Sequence, residues 1–280
     1  MQKIRLGLIG DNIAASRAPH LHRAAGELCG IEVTYDLMVP KVMGLDFDAV
    51  FERARAEGYR GLNITYPYKE CVVPKLAIDD ASVRAIGACN TALFDGGLPR
   101  GANTDHTGFI SAYRGAFGQT APGKIAMAGG GGVGRAIAFA LVKLGATRLV
   151  VFDVDRDRAA ALIAALKGAA PQFDAQVAAT IDDACESAEG LLNCTPAGMI
   201  GYGGTAFPKS AYRGRRWAFD AVYTPIDTPF LEASRRAGLA TMSGYELYFW
   251  QGVDAFRLFA GHDVDASALR KAIEPVTGLA

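Results

Sequence analysis

Residues Lys124 to Asp153 read KIAMAGGGGVGRAIAFALVKLGATRLVVFD, and the fold is decided in this stretch. Ile125 to Ala128 is an apolar run of strand length. It meets a glycine cluster and then a segment, Arg135 to Leu144, with helical periodicity and a stop at Gly145. A second apolar run, Leu149 to Phe152, ends in Asp153. Strand, glycine turn, helix, strand and acid follow one another as in a single βαβ unit. Gly129-x-Gly131-x-x-Gly134 fits the phosphate-binding fingerprint of dinucleotide domains, and Asp153 lies near the expected offset of roughly twenty residues. Glycines there let the backbone turn tightly and approach a pyrophosphate, whose charge then sits on the helix N-terminus. A lone GxGxxG is equally a plain tight turn, but the flanking strands, helix and acid select the dinucleotide reading. The predicted loop comprises Gly129, Gly130, Gly131, Gly132, Val133 and Gly134, with Asp153 opposite.

Outward from this unit, the bulk properties narrow the class. The chain has 280 residues, half of them hydrophobic, a length better suited to two domains than one. With 29 basic and 29 acidic side chains there is no electrostatic argument for a nucleic-acid or anionic-membrane partner. The N-terminus, MQKIRLGLIG, meets glycine too soon for a signal peptide, and no apolar run approaches spanning length. Cys29, Cys71, Cys89, Cys185 and Cys194 are scattered and odd in number, without a CxxC pair, which reads as reduced thiols in a cytoplasmic protein. His20, His22, His106 and His262 offer no zinc spacing with them, so no metal is expected.

Upstream, strands are predicted at Arg5–Ile9, Val33–Met38, Gly61–Thr65 and Cys89–Phe94, and helices at Pro19–Leu28, Asp46–Ala56, Val73–Leu76 and Ala81–Ile86. Asp46 is a candidate cap, and Asp95-Gly96-Gly97 a turn. A strand motif ending at Asp105 precedes a helix from about Gly108. This alternation without a second GxGxxG predicts a separate α/β domain whose strands are largely buried by helices on both faces. Downstream come helices at Arg158–Leu166, Ile181–Glu186 and Thr228–Ala237, and strands at Gln176–Ala179, Gly190–Asn193, Trp217–Val222 and Gly238–Met242. Helices at Gly244–Ala260 and Asp265–Pro275 close the chain with no strand between them, and are expected to pack back onto the first domain. The expected organisation is α/β throughout. An N-terminal domain, 1–105, is completed by helices in 244–280, and a Rossmann-type doubly wound domain occupies 106–243. A cleft between them is the expected ligand site.

The order of motifs resembles the shikimate/quinate dehydrogenases over essentially the whole chain. The carriers are Ser16 before Pro19, GLNITYPYK at 61–69, GACNT at 87–91, GANTD at 101–105, the glycine turn, NCTPAGM at 193–199, DAVYTP at 220–225 and GYELYFWQ at 244–251. The resemblance implies an NAD(P)-dependent enzyme interconverting shikimate and 3-dehydroshikimate, with quinate a second substrate in part of the family. It implies Lys69 and Asp105 as the catalytic pair, an ammonium beside a carboxylate that orients and shuttles the substrate's proton. Taken singly, Lys69 is a solvated surface lysine and Asp105 a helix cap. Ring hydroxyls would be held by Asn63, Thr65, Asn90 and Gln251, amides suiting the task because each both donates and accepts. The alternatives are turn caps for the two asparagines and a water-facing Gln251. Tyr223 and Ser16 match positions that bind the substrate carboxylate. Thr195, Ala197, Gly198 and Met199 would line the nicotinamide side, with Val222 and Gly244 nearby; the alternative for Met199 is core filling.

Two departures bear on specificity. The family loop carries a second hydroxyl before its proline, where this chain has Ser16-Arg17-Ala18-Pro19. One hydrogen bond to a charged group is worth about 1.5–3 kcal/mol, so either Arg17 or water compensates, or the preferred substrate is not shikimate itself. The roomier Ala18 site suits quinate's extra hydroxyl, and an amino-substituted shikimate is a further alternative, as is a non-catalytic NAD-binding regulator. His106 stands where glycine is frequent and reads as a helix-start residue, with reach into the cleft as the alternative. NAD is expected over NADP, because a 2′-phosphate about 4 Å from Asp153 would cost roughly 4 kcal/mol at an effective dielectric near 20. Arg156 and Arg158 soften that penalty. The expected partners are a small-molecule substrate, with no nucleic acid and no membrane, on a monomer or homodimer.

Overall fold

The computed structural model describes residues 2–273. The described residues up to Thr104, with those from Gln251 onward, form one compact unit, and Asp105–Trp250 form a second.

The first unit contains β1 (Gln2–Ile9), α1 (Ala18–Leu28), β2 (Ile31–Met38), α2 (Pro40–Met43), α3 (Phe47–Ala56), β3 (Gly61–Ile64), α4 (Ala81–Ile86), β4 (Thr91–Leu93) and β5 (Arg100–Ala102). Its sheet runs β2-β1-β3-β4-β5. β1 pairs in parallel with β2 and β3, and β4 is antiparallel to both β3 and β5. Side chains of β1 become continuously buried from Leu6, as a central strand covered on both faces requires. β5 is a partly exposed edge strand, so full two-sided burial does not hold at this end of the sheet. Asp46 caps α3 through a 2.7 Å bond from the Ala49 amide, as predicted. Phe47, Phe51, Leu62, Ile64 and Ala92 are among the residues that fill the core beneath it.

The second unit follows with α5 (Thr104–Phe117), β6 (Lys124–Ala128), α6 (Gly132–Lys143), β7 (Arg148–Phe152), α7 (Arg156–Ala169), β8 (Asp174–Val177), α8 (Ile181–Cys185), β9 (Gly190–Asn193), β10 (Trp217–Asp220), α9 (Pro229–Arg236) and β11 (Ala240–Met242). All six strands are parallel in the order β8-β7-β6-β9-β10-β11. That is the doubly wound dinucleotide-binding order, with its reversal between β6 and β9. α5 packs on this sheet through Phe109 against Phe219 and Tyr113 against Trp217, both edge-to-face.

The last helices are α10 (Gly244–Ala260) and α11 (Ala266–Ile273). The division between units falls inside α10, between Trp250 and Gln251, rather than at its start. α11 packs on α1 in the first unit; Pro275, where this helix was predicted to end, lies outside the described residues. Elsewhere α5 begins four residues earlier than Gly108, so Asp105 sits in the first turn of a helix and not at the end of a strand. The short strand of this motif, β5, ends at Ala102, and β8 starts two residues before Gln176.

Candidate active site

In the first unit β2, β1 and β3 run parallel with β1 in the middle, so the order of connection across the sheet reverses between β1 and β3, and in open α/β sheets ligands bind at the carboxyl ends of such a reversal. Two loops leave there and are laced together. The Asp11 amide donates to the Tyr66 carbonyl at 3.1 Å, and the Tyr68 hydroxyl donates to the Asp11 carboxylate at 2.8 Å. Burial and that bond push the Tyr68 phenol up to about 12, so it stays a donor. Lys69 ends this laced turn half-buried, and its carbonyl accepts from the Cys89 amide at 2.8 Å. The lysine is thereby tied to the segment carrying Asn90.

Asn63 and Asn90 are buried and belong to one polar cluster. Register sets Asn63 opposite Thr91. The Tyr35 hydroxyl donates to Asn63 Oδ1 at 2.8 Å, and the amide of Asn63 reaches Thr91 Oγ1 at 3.3 Å. Asn63 is therefore no turn cap. Asn90 is one in part: its Oδ1 accepts from the Thr104 amide at 2.7 Å, at the start of α5, while its Nδ2 donates to Thr104 Oγ1 at 2.9 Å. Thr104 Oγ1 in turn lies 3.5 Å from Gln251 Oε1, so Gln251 is half-buried against this cluster rather than facing water. Thr65 follows β3, partly buried, and its methyl lies against Gly10. Ser16 Oγ accepts from the Ala18 amide at 3.3 Å, at the first turn of α1, whose N-cap Arg17 makes no side-chain cap bond.

Behind Asn63 lies His22, 1% exposed, stacked on Tyr35 at 5.0 Å and flanked by Phe256 and Phe259. Burial, only partly offset by hydrogen bonding with Asn63, lowers His22 to about 3. Neither Tyr35, Thr91, Thr104 nor His22 was singled out from the sequence. His22, set between Leu21 and Arg23, carries no local signal of its burial.

In the second unit the glycine loop has the geometry a pyrophosphate needs. Gly129 turns with φ +97°, and a Cβ there would sit 2.7 Å from the Cys194 carbonyl oxygen. A Cβ on Gly134 would meet the Gly129 carbonyl oxygen at 2.2 Å, so the third glycine lets α6 pack against the strand end. Nothing stands within 4 Å of such an atom on Gly131, the position a phosphate approaches. Gly131 is the N-cap of α6 and provides no side-chain acceptor, leaving the first-turn amides around Gly132 and Val133 for an anion. These residues fit a dinucleotide. Asp153 Oδ2 accepts from the Gly130 amide at 2.7 Å and Oδ1 from the Asp155 amide at 2.9 Å. The carboxylate thus braces the loop, and two of its roughly four acceptor sites remain for ribose hydroxyls. Arg158 pairs with Asp155 at 3.5 Å.

Across the strand-order reversal, Asn193 ends β9 and folds the next segment back on itself. Its Oδ1 accepts from the Thr195 amide and hydroxyl at 3.0 and 2.6 Å, and its Nδ2 donates to the Ala197 carbonyl at 3.0 Å. Met199 is half-buried and its amide bonds to Pro196, so it does not fill the core. Val222 is buried beside Asp220, Tyr223 stacks on Tyr248 at 5.1 Å, and Gly244 opens α10. Asp105 is 6% exposed in the first turn of α5, where a helix N-terminus favours a carboxylate. His106 beside it is buried, with Nδ1 3.3 Å from the Ala136 carbonyl of α6. All five cysteines are free thiols, and burial raises Cys89 to about 12 and Cys185 to about 11. Among the described residues no three His, Cys, Asp or Glu side chains converge as a metal site, and no helix is long and apolar enough to cross a membrane.

A parallel six-stranded sheet with this loop defines an α/β protein with a Rossmann-type dinucleotide-binding unit. The family profile described as the shikimate dehydrogenase substrate binding domain matches residues 8–92. The quinate/shikimate dehydrogenase (NAD(+)) of Corynebacterium efficiens is 38% identical over 278 residues, covering 95% of this chain and 96% of that one. The shikimate dehydrogenase (NADP(+)) of Pseudarthrobacter chlorophenolicus is 34% identical over 270 residues, covering 95% and 92%. The quinate dehydrogenase of Corynebacterium glutamicum, solved in complex with NAD, superposes with a TM-score of 0.90 at 36% identity, covering 97% and 99%. The chain belongs to the quinate/shikimate dehydrogenase family.

Proposed function

We propose that this protein is an oxidoreductase that transfers hydride reversibly between shikimate or quinate and NAD, giving 3-dehydroshikimate or 3-dehydroquinate. The observation that carries the cofactor half is the glycine loop open at Gly131 and braced by Asp153. NAD is preferred over NADP, because the carboxylate that fixes the Gly130 amide stands where a 2′-phosphate would bring like charge. Arg158 is paired with Asp155 and is only partly available to soften this. A relative that bears the NAD(+) name supports the preference, and one that bears NADP(+) marks the alternative.

Lys69 and Asp105 are the proposed catalytic pair. The lysine orients the reacting hydroxyl and the carboxylate accepts its proton during oxidation, returning it during reduction. Asn63, Thr65, Asn90 and Gln251 hold ring hydroxyls, and Ser16 and Tyr223 the substrate carboxylate. The nicotinamide, when bound, supplies the hydride acceptor, and Thr195, Ala197 and Met199 line its face. Both asparagines are oriented by buried partners, so their free valences are set before substrate arrives, which lowers the ordering cost of binding. With Ala18 at the first helical position of α1, no side-chain hydroxyl is offered there. This favours quinate, whose extra hydroxyl takes the space. The enzyme is proposed to act in the cytoplasm as a monomer or homodimer.

The deciding experiment is NADH formation, followed by absorbance, with shikimate and quinate supplied separately and NADP in place of NAD as the third arm. Turnover on either ring alcohol with NAD is expected, with a higher kcat/KM than with NADP. Higher kcat/KM with NADP would sink the cofactor preference, and NADH binding without turnover on either alcohol would move the substrate to another cyclic hydroxy acid.

A further inference from the structure

Asp220 ends β10 completely buried, and among the described residues no lysine or arginine pairs with it. Burial raises it to about 6, against the pull of three donors. Oδ1 accepts from Asn193 Nδ2 at 2.9 Å and from the Val222 amide at 3.0 Å, and Oδ2 accepts from the Thr228 hydroxyl at 2.5 Å. Parallel register sets Asp220 directly beside Asn193, which is why the two side chains meet. Asn193 is the residue that folds Thr195 and Ala197 into their turn, and Val222 begins the loop that carries Tyr223. From the opposite side the start of α10 presses on the same loop: a Cβ on Gly244 would sit 2.4 Å from the Ala221 carbonyl oxygen. One carboxylate therefore fastens two loops that no local sequence pattern holds together.

We propose that Asp220 is a positioning residue which, through Asn193 and Val222, locks the Thr195–Met199 and Val222–Pro225 loops at the nicotinamide end of the dinucleotide site. The proposal rests on the dinucleotide reading given above. An acceptor-only group suits the position because three donors converge there; the Thr228 hydroxyl accepts from the Leu231 amide and donates its own proton to Asp220. An asparagine would keep both Oδ1 bonds and forfeit only the third. An alanine would remove all three side-chain links and leave the loops joined only through the backbone, by the Ala221 amide on the Asn193 carbonyl at 2.8 Å and the Ile200 amide on the Thr224 carbonyl at 3.0 Å.

The test compares NADH and ADP-ribose binding to Asp220→Asn and Asp220→Ala by fluorescence and calorimetry. Asp220→Ala is expected to raise the NADH Kd at least tenfold while ADP-ribose, which lacks the nicotinamide, binds within about threefold of wild type. Asp220→Asn should stay within about threefold for both. Equal losses for NADH and ADP-ribose would mean a merely structural role and overturn the proposal, as would wild-type NADH binding by Asp220→Ala. An asparagine variant as weak as the alanine one would also overturn it, because charge and not fastening would then be at work. Should Asp220→Ala not fold, Asn193→Ala cuts the same link together with the bonds Asn193 makes to Thr195 and Ala197. It should show the same split between NADH and ADP-ribose, and wild-type binding by it overturns the proposal. A wild-type chain that binds NADH but oxidises neither ring alcohol removes the substrate reading and leaves this comparison intact; one that binds no NADH overturns both.

Discussion

Lys69 and Asp153 are the residues at which single substitutions test the proposed chemistry and binding separately. Lys69 is proposed to act on the reacting hydroxyl, and its backbone is held by the Cys89 amide whatever its side chain. Lys69→Ala should lower kcat by about 10²–10⁴-fold with the NADH Kd unchanged. Near-normal turnover of this variant would remove Lys69 from the catalytic assignment. Asp153 braces the Gly130 amide and is proposed to exclude a 2′-phosphate. Asp153→Ser should therefore weaken NAD and relieve the repulsion on NADP together, shifting the ratio of kcat/KM toward NADP by at least about tenfold. Parallel losses on both cofactors would leave only the bracing role. Buried Asn63 shows what such residues conceal in a sequence. An asparagine inside the apolar strand GLNI is visibly out of place, yet its partner Tyr35 lies on a strand that it does not pair with.

The element proposed to hold the nucleotide is the loop from β6 into α6. Its three glycines divide the work between a left-handed turn, an open approach and a close packing of helix on strand. Gly134→Val places a side chain against the Gly129 carbonyl, which cannot move without losing the Gly129 turn. NADH affinity should fall at least about tenfold, with a lowered thermal midpoint from overpacking of about 1–3 kcal/mol. NADH binding at the wild-type level would show that the loop does not hold the pyrophosphate. The tight turn and the open approach were legible, because those backbone demands fall on neighbouring residues; the packing role of Gly134 was not. Nor was the start of α5. Its first amide is satisfied by Asn90, fourteen residues upstream, so no local cap marks Thr104 as a helix start. The antiparallel β4–β5 pair could have been read: Asp95-Gly96-Gly97 leaves too few residues for the crossover a parallel partner requires.

At the scale of the whole molecule, two buried groups tilt stability with pH in opposite senses. His22 is lowered to about 3 in the native chain, against an ordinary histidine value of 6.5 once unfolded. The unfolded chain binds more protons between those values, so its contribution falls as pH drops from 6.5 toward 3. Asp220 is raised from 3.8 to about 6, so the native chain holds the extra proton and stability rises as pH falls through that window. Replacing His22 by Phe, which fits a pocket of Tyr35, Phe256 and Phe259, should remove the first slope and expose the second. Its urea stability relative to wild type should then rise by about 2 kcal/mol between roughly pH 7 and pH 5. A pH-independent difference would mean that His22 is charged in the native state or neutral in both.

The order of strands and helices, the glycine turn and its acid, and the family motifs were determined by the sequence alone. Periodicity, left-handed turns and helix stops are short-range demands, and contiguous residues meet them whatever the rest of the chain does. Which polar groups meet was decided only in three dimensions. Asn193 and Asp220 lie twenty-seven residues apart and share a hydrogen bond because β9 and β10 are neighbours in register. Tyr35 reaches Asn63, and Thr104 takes its cap from Asn90, because the sheet and the start of α5 bring them there. A buried donor must find an acceptor wherever the fold supplies one, and strand order, which no local pattern encodes, settles where that is.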